Sequence, residues 1–155
     1  MTSTITTQRE IRVVKGPKTM PSRQKRKKIL LVDDNATALE LYSDLLGAAG
    51  YEVIRAADSL EALFAAVRVE PDLVLADLRM PIMNGLALAR ELKTHLETHH
   101  VPVVVLTGHD SPKHRAAAFE AGCDGYLTKP LNPHYLLDEI AQLLQPKRAA
   151  RLFVS

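Results

Sequence analysis

The sequence predicts an α/β protein built on a doubly wound, five-stranded parallel sheet with five helices on its two faces. Three observations predict it. Short apolar runs without polar alternation recur along the chain, as in strands buried on both faces of a parallel sheet. Helical patterns with their own caps separate them, giving five strand–helix units in succession. The runs also end in acids, a hydroxyl and a lysine, and in open α/β sheets the strand ends are where ligands bind.

Taken in order, Lys28-Ile29-Leu30-Leu31-Val32 is the first strand, and Asp33-Asp34-Asn35 follows it. Asn35 is a good N-cap, and Leu41, Leu45, Leu46 and Ala49 mark an apolar helical face ended by Gly50. Val53-Ile54 is the second strand. Ser59 is read as the cap of the next helix, with Leu60, Leu63, Phe64 and Val67 turned inward. The run Leu73 to Ala76 ends in Asp77, and Pro81 halts regular structure before Asn84-Gly85 opens a helix through Leu86, Leu88, Ala89 and Leu92. Val103-Val104-Val105-Leu106-Thr107 is the fourth strand. Ser111-Pro112 starts a helix that runs to Gly122, a cap followed by proline at the first helical position. Gly125 to Thr128 precedes Lys129-Pro130. Asn132-Pro133 then starts the last helix, with Leu136, Leu137, Ile140, Leu143 and Leu144 on one side and Pro146 as its stop.

Composition narrows the function classes. At 155 residues, 46% hydrophobic and 25% charged, the chain has the make-up of one globular domain. No apolar run nears the roughly 20 residues of a membrane span, and Met1 to Val14 lacks the apolar core of a signal peptide. Cys123 stands alone, so no internal disulfide forms, and it is expected to be a buried structural thiol in a reducing, cytoplasmic setting. The net charge of +2 is unevenly spread. Residues 1–28 hold nine Lys/Arg against Glu10, and 147–155 adds Lys147, Arg148 and Arg151. An acidic body therefore lies between basic ends. Residues 1–27 read as a flexible basic extension, 28–146 as the folded domain and 147–155 as a short basic tail.

Right-handed crossovers and a reversal of strand order place the ligand crevice over the first and third strands. There Asp33, Asp34 and Asp77 offer carboxylates, Thr107 a hydroxyl and Lys129 an ammonium. A hard cation and a phosphoryl group require such a set. With a metal present, an oxygen of Asp77 can serve as a nucleophile towards phosphorus. Alone, Asp33 or Asp34 would be a helix cap, Lys129 a surface lysine and Thr107 a satisfied strand-end hydroxyl. Their joint arrival at one sheet edge carries the reading. His95, His99 and His100 are expected to be a solvated helix end, and Gly47, Gly50 and Gly108 match no phosphate-binding glycine loop.

Val32-Asp33-Asp34-Asn35, Asp77 to Gly85 (Asp-Leu-Arg-Met-Pro-Ile-Met-Asn-Gly), Leu106-Thr107 and Lys129-Pro130 carry a resemblance. Residues 28–146 resemble the receiver domain of the bacterial two-component response regulators. The resemblance implies a flavodoxin-like sheet of order 2-1-3-4-5. It implies Asp77 as phosphoacceptor and Mg²⁺ held by Asp34, Asp77 and the Arg79 backbone carbonyl, with Asp33 acting through a water. Lys129 would pair with the phosphoryl group, Thr107 would sense it, and Tyr126 would turn inward in response. Arg79, Gly108 and His109 occupy positions that tune phosphoryl lifetime, and Lys129–Pro130 is expected to be cis.

The implied activity is phosphorelay signalling, with no catalysis beyond the chain's own phosphorylation and dephosphorylation. The donor would be a sensor histidine kinase or a histidine phosphotransfer protein. Because only nine residues follow 146, a stand-alone regulator signalling through a downstream effector protein is expected. Three alternatives stand beside it. One is a phosphate shuttle or sink, and another is nucleic-acid binding through the basic N-terminal arm. The third, an aspartyl phosphatase, is disfavoured by Arg79, where such chemistry commonly wants a second acid.

Overall fold

A computed structural model describes residues 25–146. The extension assigned to 1–27 falls almost wholly outside these residues, and the tail 147–155 wholly so.

Five parallel strands, β1 (Lys28–Val32), β2 (Glu52–Ala56), β3 (Leu73–Asp77), β4 (Val103–Thr107) and β5 (Gly125–Thr128), form one sheet in the order β2-β1-β3-β4-β5. Helices α1 (Ala36–Ala48), α2 (Ser59–Val69), α3 (Gly85–Thr94), α4 (Pro112–Glu120) and α5 (Pro133–Leu143) alternate with them. This is the flavodoxin-like order expected from the resemblance.

The two cores follow the two-residue period of the strands. Leu30, Val32, Val74, Ala76, Val103 and Val105 face α2, α3 and α4. Ile29, Leu31, Leu73, Leu75, Val104 and Leu106 face α1 and α5. Every residue of β3 and β4 is buried, which explains runs without alternation.

Side-chain caps set the helix starts at Asn35, Ser111 and Asn132 as the sequence predicts, and Asn84 caps α3 as well; each accepts a backbone N–H from the first turn. The start of α2 differs. Asp58, not Ser59, is its N-cap, accepting from Glu61 N, while Glu61 Oε1 accepts from Ala57 N at 2.8 Å. The pair resembles a capping box, with Glu61 reaching the residue before the cap and not the cap's own N–H.

Two helical faces also differ from expectation. In α1 the buried positions are Leu39, Ser43 and Leu46, and Leu41 is exposed. In α2 they are Ser59, Ala62, Ala65 and Ala66, while Leu60, Phe64 and Val67 face outward. Alanines let the helix axis approach the sheet, so the small side of α2 is the one that packs. Leu63 alone of the expected set packs partly against the core.

Candidate functional site

The C-terminal edge of the sheet gathers the predicted residues because backbone hydrogen bonds extend the strand register past the strand ends. Asp33 N–H donates to the Ala56 carbonyl at 3.1 Å, Leu78 N–H to Leu106 at 2.7 Å, and Lys129 N–H to Thr107 at 2.8 Å. Asp77 and Thr107 are the last residues of β3 and β4, while Asp33 and Lys129 directly follow β1 and β5.

Carboxylate oxygens of Asp33, Asp34 and Asp77 all lie within 4.8 Å of one another. Lys129 Nζ donates to Asp77 Oδ1 at 2.8 Å. Asp33 is buried and its Oδ1 accepts the Asn35 N–H at 2.9 Å, whereas Asp34 is exposed. Burial, above all, raises the Asp33 pKa; Asp77 and Asp34 push the same way, against the Asn35 hydrogen bond and the charge of Lys129. For Lys129 burial works downward, but the hydrogen bond and charge of Asp77, with Asp33 behind it, outweigh burial and hold its pKa above the ordinary value. Three crowded carboxylates facing one ammonium make a donor set of the type a hard divalent cation takes.

Thr107 is buried, and its hydroxyl is engaged with its own turn. It accepts from His109 N–H at 3.0 Å and reaches the His109 carbonyl at 3.3 Å. The same carbonyl receives His114 Nδ1 at 3.0 Å, so that nitrogen carries the proton. Tyr126 sits on β5 in register with Val105, with the Arg115 guanidinium 4.9 Å above its ring. Its hydroxyl is enclosed near Asp110 without a bonding partner among the described residues, and burial first, then Asp110, raises its pKa. Arg79, Gly108 and His109 are exposed around the acid cluster, and nothing lies within 4 Å of a Cβ built on Gly108. The Lys129–Pro130 peptide is cis.

Two features were not anticipated. A cleft of about 530 Å³ adjoins the acids, lined by Asp34, Arg79, Met80, Thr107, His109 and His114 among others. Tyr42 lies on the other side, with Leu41 beside Asp33 and Lys129. The position of Tyr42 seven residues after the Asn35 cap, two helical turns along α1, is the signal that marks it. His95, His99 and His100 are exposed, away from these residues. Cys123 is only half-buried; burial pushes its pKa up to about 11, the condition of an inert thiol.

Residues 29–141 match the response regulator receiver domain family. The polar-differentiation response regulator DivK of Brucella ovis is 34% identical over 118 residues, spanning 76% of this chain and 96% of that protein. Among solved structures, the Vibrio cholerae chemotaxis protein CheY4 has a TM-score of 0.74 at 33% identity, covering 77% of this chain and 99% of that one. The receiver domain of a Pseudomonas aeruginosa sensor histidine kinase, described with a magnesium ion coordinated in its active site cleft, has a TM-score of 0.72 at 29% identity, covering 77% and 98%.

Proposed function

The chain belongs to the response regulator receiver family, and from that premise we propose that Asp77 is the residue through which it accepts a phosphoryl group. As a phosphoacceptor response regulator, it acts in phosphorelay signalling, where receiver domains work with histidine kinases and downstream effectors. No helix among the described residues is long and apolar enough to cross a membrane, and the proposed site of action is the cytoplasm.

The observation that carries the assignment is the Lys129–Asp77 contact of 2.8 Å inside the acid cluster. An Asp77 oxygen attacks phosphorus as the bond from phosphorus to the donor's histidine nitrogen breaks. An acyl phosphate forms, and the departing imidazole takes a proton from solvent. Lys129 follows the charge from the Asp77 carboxylate to a phosphoryl oxygen. Thr107 donates its hydroxyl to another and gives up the His109 turn, and Tyr126 moves into the space released. Arg79, Gly108 and His109 border the phosphoryl group and govern the approach of water.

Mg²⁺ is the proposed cofactor; Asp34, Asp77 and the Arg79 carbonyl would hold it, and Asp33 would act on it through a water. When bound, the ion neutralises the repulsion between carboxylates and phosphoryl oxygens. The chain is proposed to perform this self-phosphorylation and its reversal and no other catalysis. Its proposed direct donor is a sensor histidine kinase or a histidine phosphotransfer protein, and its output a change in effector binding.

Labelling with a small-molecule phosphodonor and Mg²⁺ tests the reading. Wild type is expected to gain one acid-stable, base-labile phosphoryl group on Asp77, and Asp77→Asn none. Label on a histidine or serine would overturn it.

A further inference from the structure

We propose that the outer face of α2 is a self-association surface that pairs two copies of this chain antiparallel, α2 against α2. Leu60, Phe64 and Val67 are 62%, 64% and 47% exposed on one helix. At about 100° per residue they fall within an arc of roughly 60°, opposite the alanines that pack on the sheet. Leu96 and Phe119 are exposed singly, which is ordinary for a protein surface; a stripe on one helix is not.

The charges beside the stripe select a second copy as its occupant. Glu61 and Arg68 are exposed and lie on the same flank of Phe64, about 60° and 40° round the helix. A twofold axis passing beside Phe64 keeps this flank on the same side in both copies. It brings Glu61 of one copy to within about 1.5 Å of the axial level of Arg68 of the second copy, and the reverse. The apolar stripe meets itself, and two reciprocal ion pairs close one rim. The capping bond from Ala57 N–H uses Glu61 Oε1 and leaves the other oxygen for this pairing. An unrelated partner helix has no need for an acid and a base disposed about Phe64 in this self-complementary way. Three apolar anchors fall short of the about 800 Å² per partner of a standard stable interface, so the pairing is weak and concentration-dependent.

Sedimentation velocity on the full chain over a concentration series tests the surface. The mass is expected to rise from 17.1 kDa towards double that value. Phe64→Glu is expected to weaken association about tenfold or more while keeping the circular dichroism and Asp77 labelling of wild type. Glu61→Arg and Arg68→Glu singly are expected to weaken it, and the double exchange to restore it. Because Glu61 also bonds the Ala57 N–H beside the α2 cap, a second measurement guards against loss of folding. Phe64→Cys in a Cys123→Ser background should form a disulfide-linked dimer under mild oxidation. A chain that stays at 17.1 kDa throughout, unaltered association in Phe64→Glu, or a failure of both the double exchange and the cross-link overturns the proposal. None of these outcomes depends on which residue accepts phosphate.

Discussion

A Cβ placed on Gly85 would stand 2.5 Å from the main-chain oxygen of Asp77 and 3.1 Å from Leu78 Cα. Both are backbone atoms, so neither can swing away. The first turn of α3 rests directly on the end of β3, where Gly85 N–H donates to the Leu78 carbonyl at 2.9 Å. Gly85→Ala is expected to cost about 1–3 kcal/mol in urea unfolding, the range for overpacking, and to slow Asp77 labelling because the strand end moves. Wild-type stability would show that α3 can shift freely and that the contact does not position Asp77.

Lys129→Met removes the cation that pairs with Asp77 among the described residues while keeping most of the side chain's volume. The acids are left facing each other, and a loss of about 1–2 kcal/mol in the absence of metal is expected from the unpaired, mostly buried Asp77. Mg²⁺ should bind more tightly once the competing ammonium is gone, yet phosphorylation should weaken because no group follows the charge to phosphorus. Calorimetric titration suits this chain, which has no tryptophan. An unchanged or weaker Mg²⁺ affinity would contradict the electrostatic account.

Much of this site was legible in the sequence because each residue is fixed by a local rule. A buried parallel strand reads as an unbroken apolar run, and the next residue falls at the sheet edge whatever the rest of the fold does. The caps Asn35, Ser111 and Asn132 were readable for the same reason. The face of α2 was not. Leu60, Phe64 and Val67 form one stripe and Ala62, Ala65 and Ala66 another, and periodicity cannot choose between two apolar stripes. Closeness of approach chooses, and that is a property of the sheet. His114 escaped notice because its role depends on the turn that brings the His109 carbonyl back over α4.

The Asp33 pKa gives a metal dependence with a definite sign. Its folded pKa lies above its unfolded value, chiefly through burial, so the folded chain binds that proton more tightly. Without metal, this contribution favours the fold on the acid side and fades as pH rises through the carboxylate range. Asp33→Asn keeps an oxygen for the Asn35 N–H and removes the charge. It should raise the metal-free melting temperature at neutral pH by a few degrees, on the order of 1 kcal/mol, and reduce the further rise that Mg²⁺ brings. A lower metal-free melting temperature would mean that the charge stabilises the site.

Thr107→Val separates acceptance of phosphate from response to it. The hydroxyl is proposed as the contact that differs between the two states, and only a differential contact can shift their populations. The variant leaves His109 N–H without its acceptor, a loss of about 1 kcal/mol, and should still be labelled on Asp77. Amide shifts around Tyr126 and Arg115 on phosphorylation should shrink severalfold. Shifts as large as in wild type would remove Thr107 from the switch.

The basic N-terminal stretch is expected to serve association and not the fold. Among the described residues, the backbone is first tied to the sheet at Lys27, whose carbonyl accepts from Glu52 N–H at 2.9 Å, and at Lys28. Lys28 N–H donates to Asp72 Oδ2 at 2.7 Å, its carbonyl accepts from Asp72 N–H at 2.8 Å, and Nζ reaches the Val69 carbonyl at 3.3 Å. Removing residues 1–24 leaves all of these in place. The charge it removes acts over distances that salt screens beyond about 10 Å at 0.1 M, so its effect belongs to encounter rates with an anionic partner or surface. Residues 25–155 should therefore melt within about 2 °C of the full chain, since exposed pairs contribute little. Asp77 should be labelled at nearly the same rate in both. Any association with a polyanion that the full chain shows should fall steeply with salt and be lost on deletion. A large drop in stability or labelling would make the stretch a structural part of the receiver domain and move the domain boundary before Lys25.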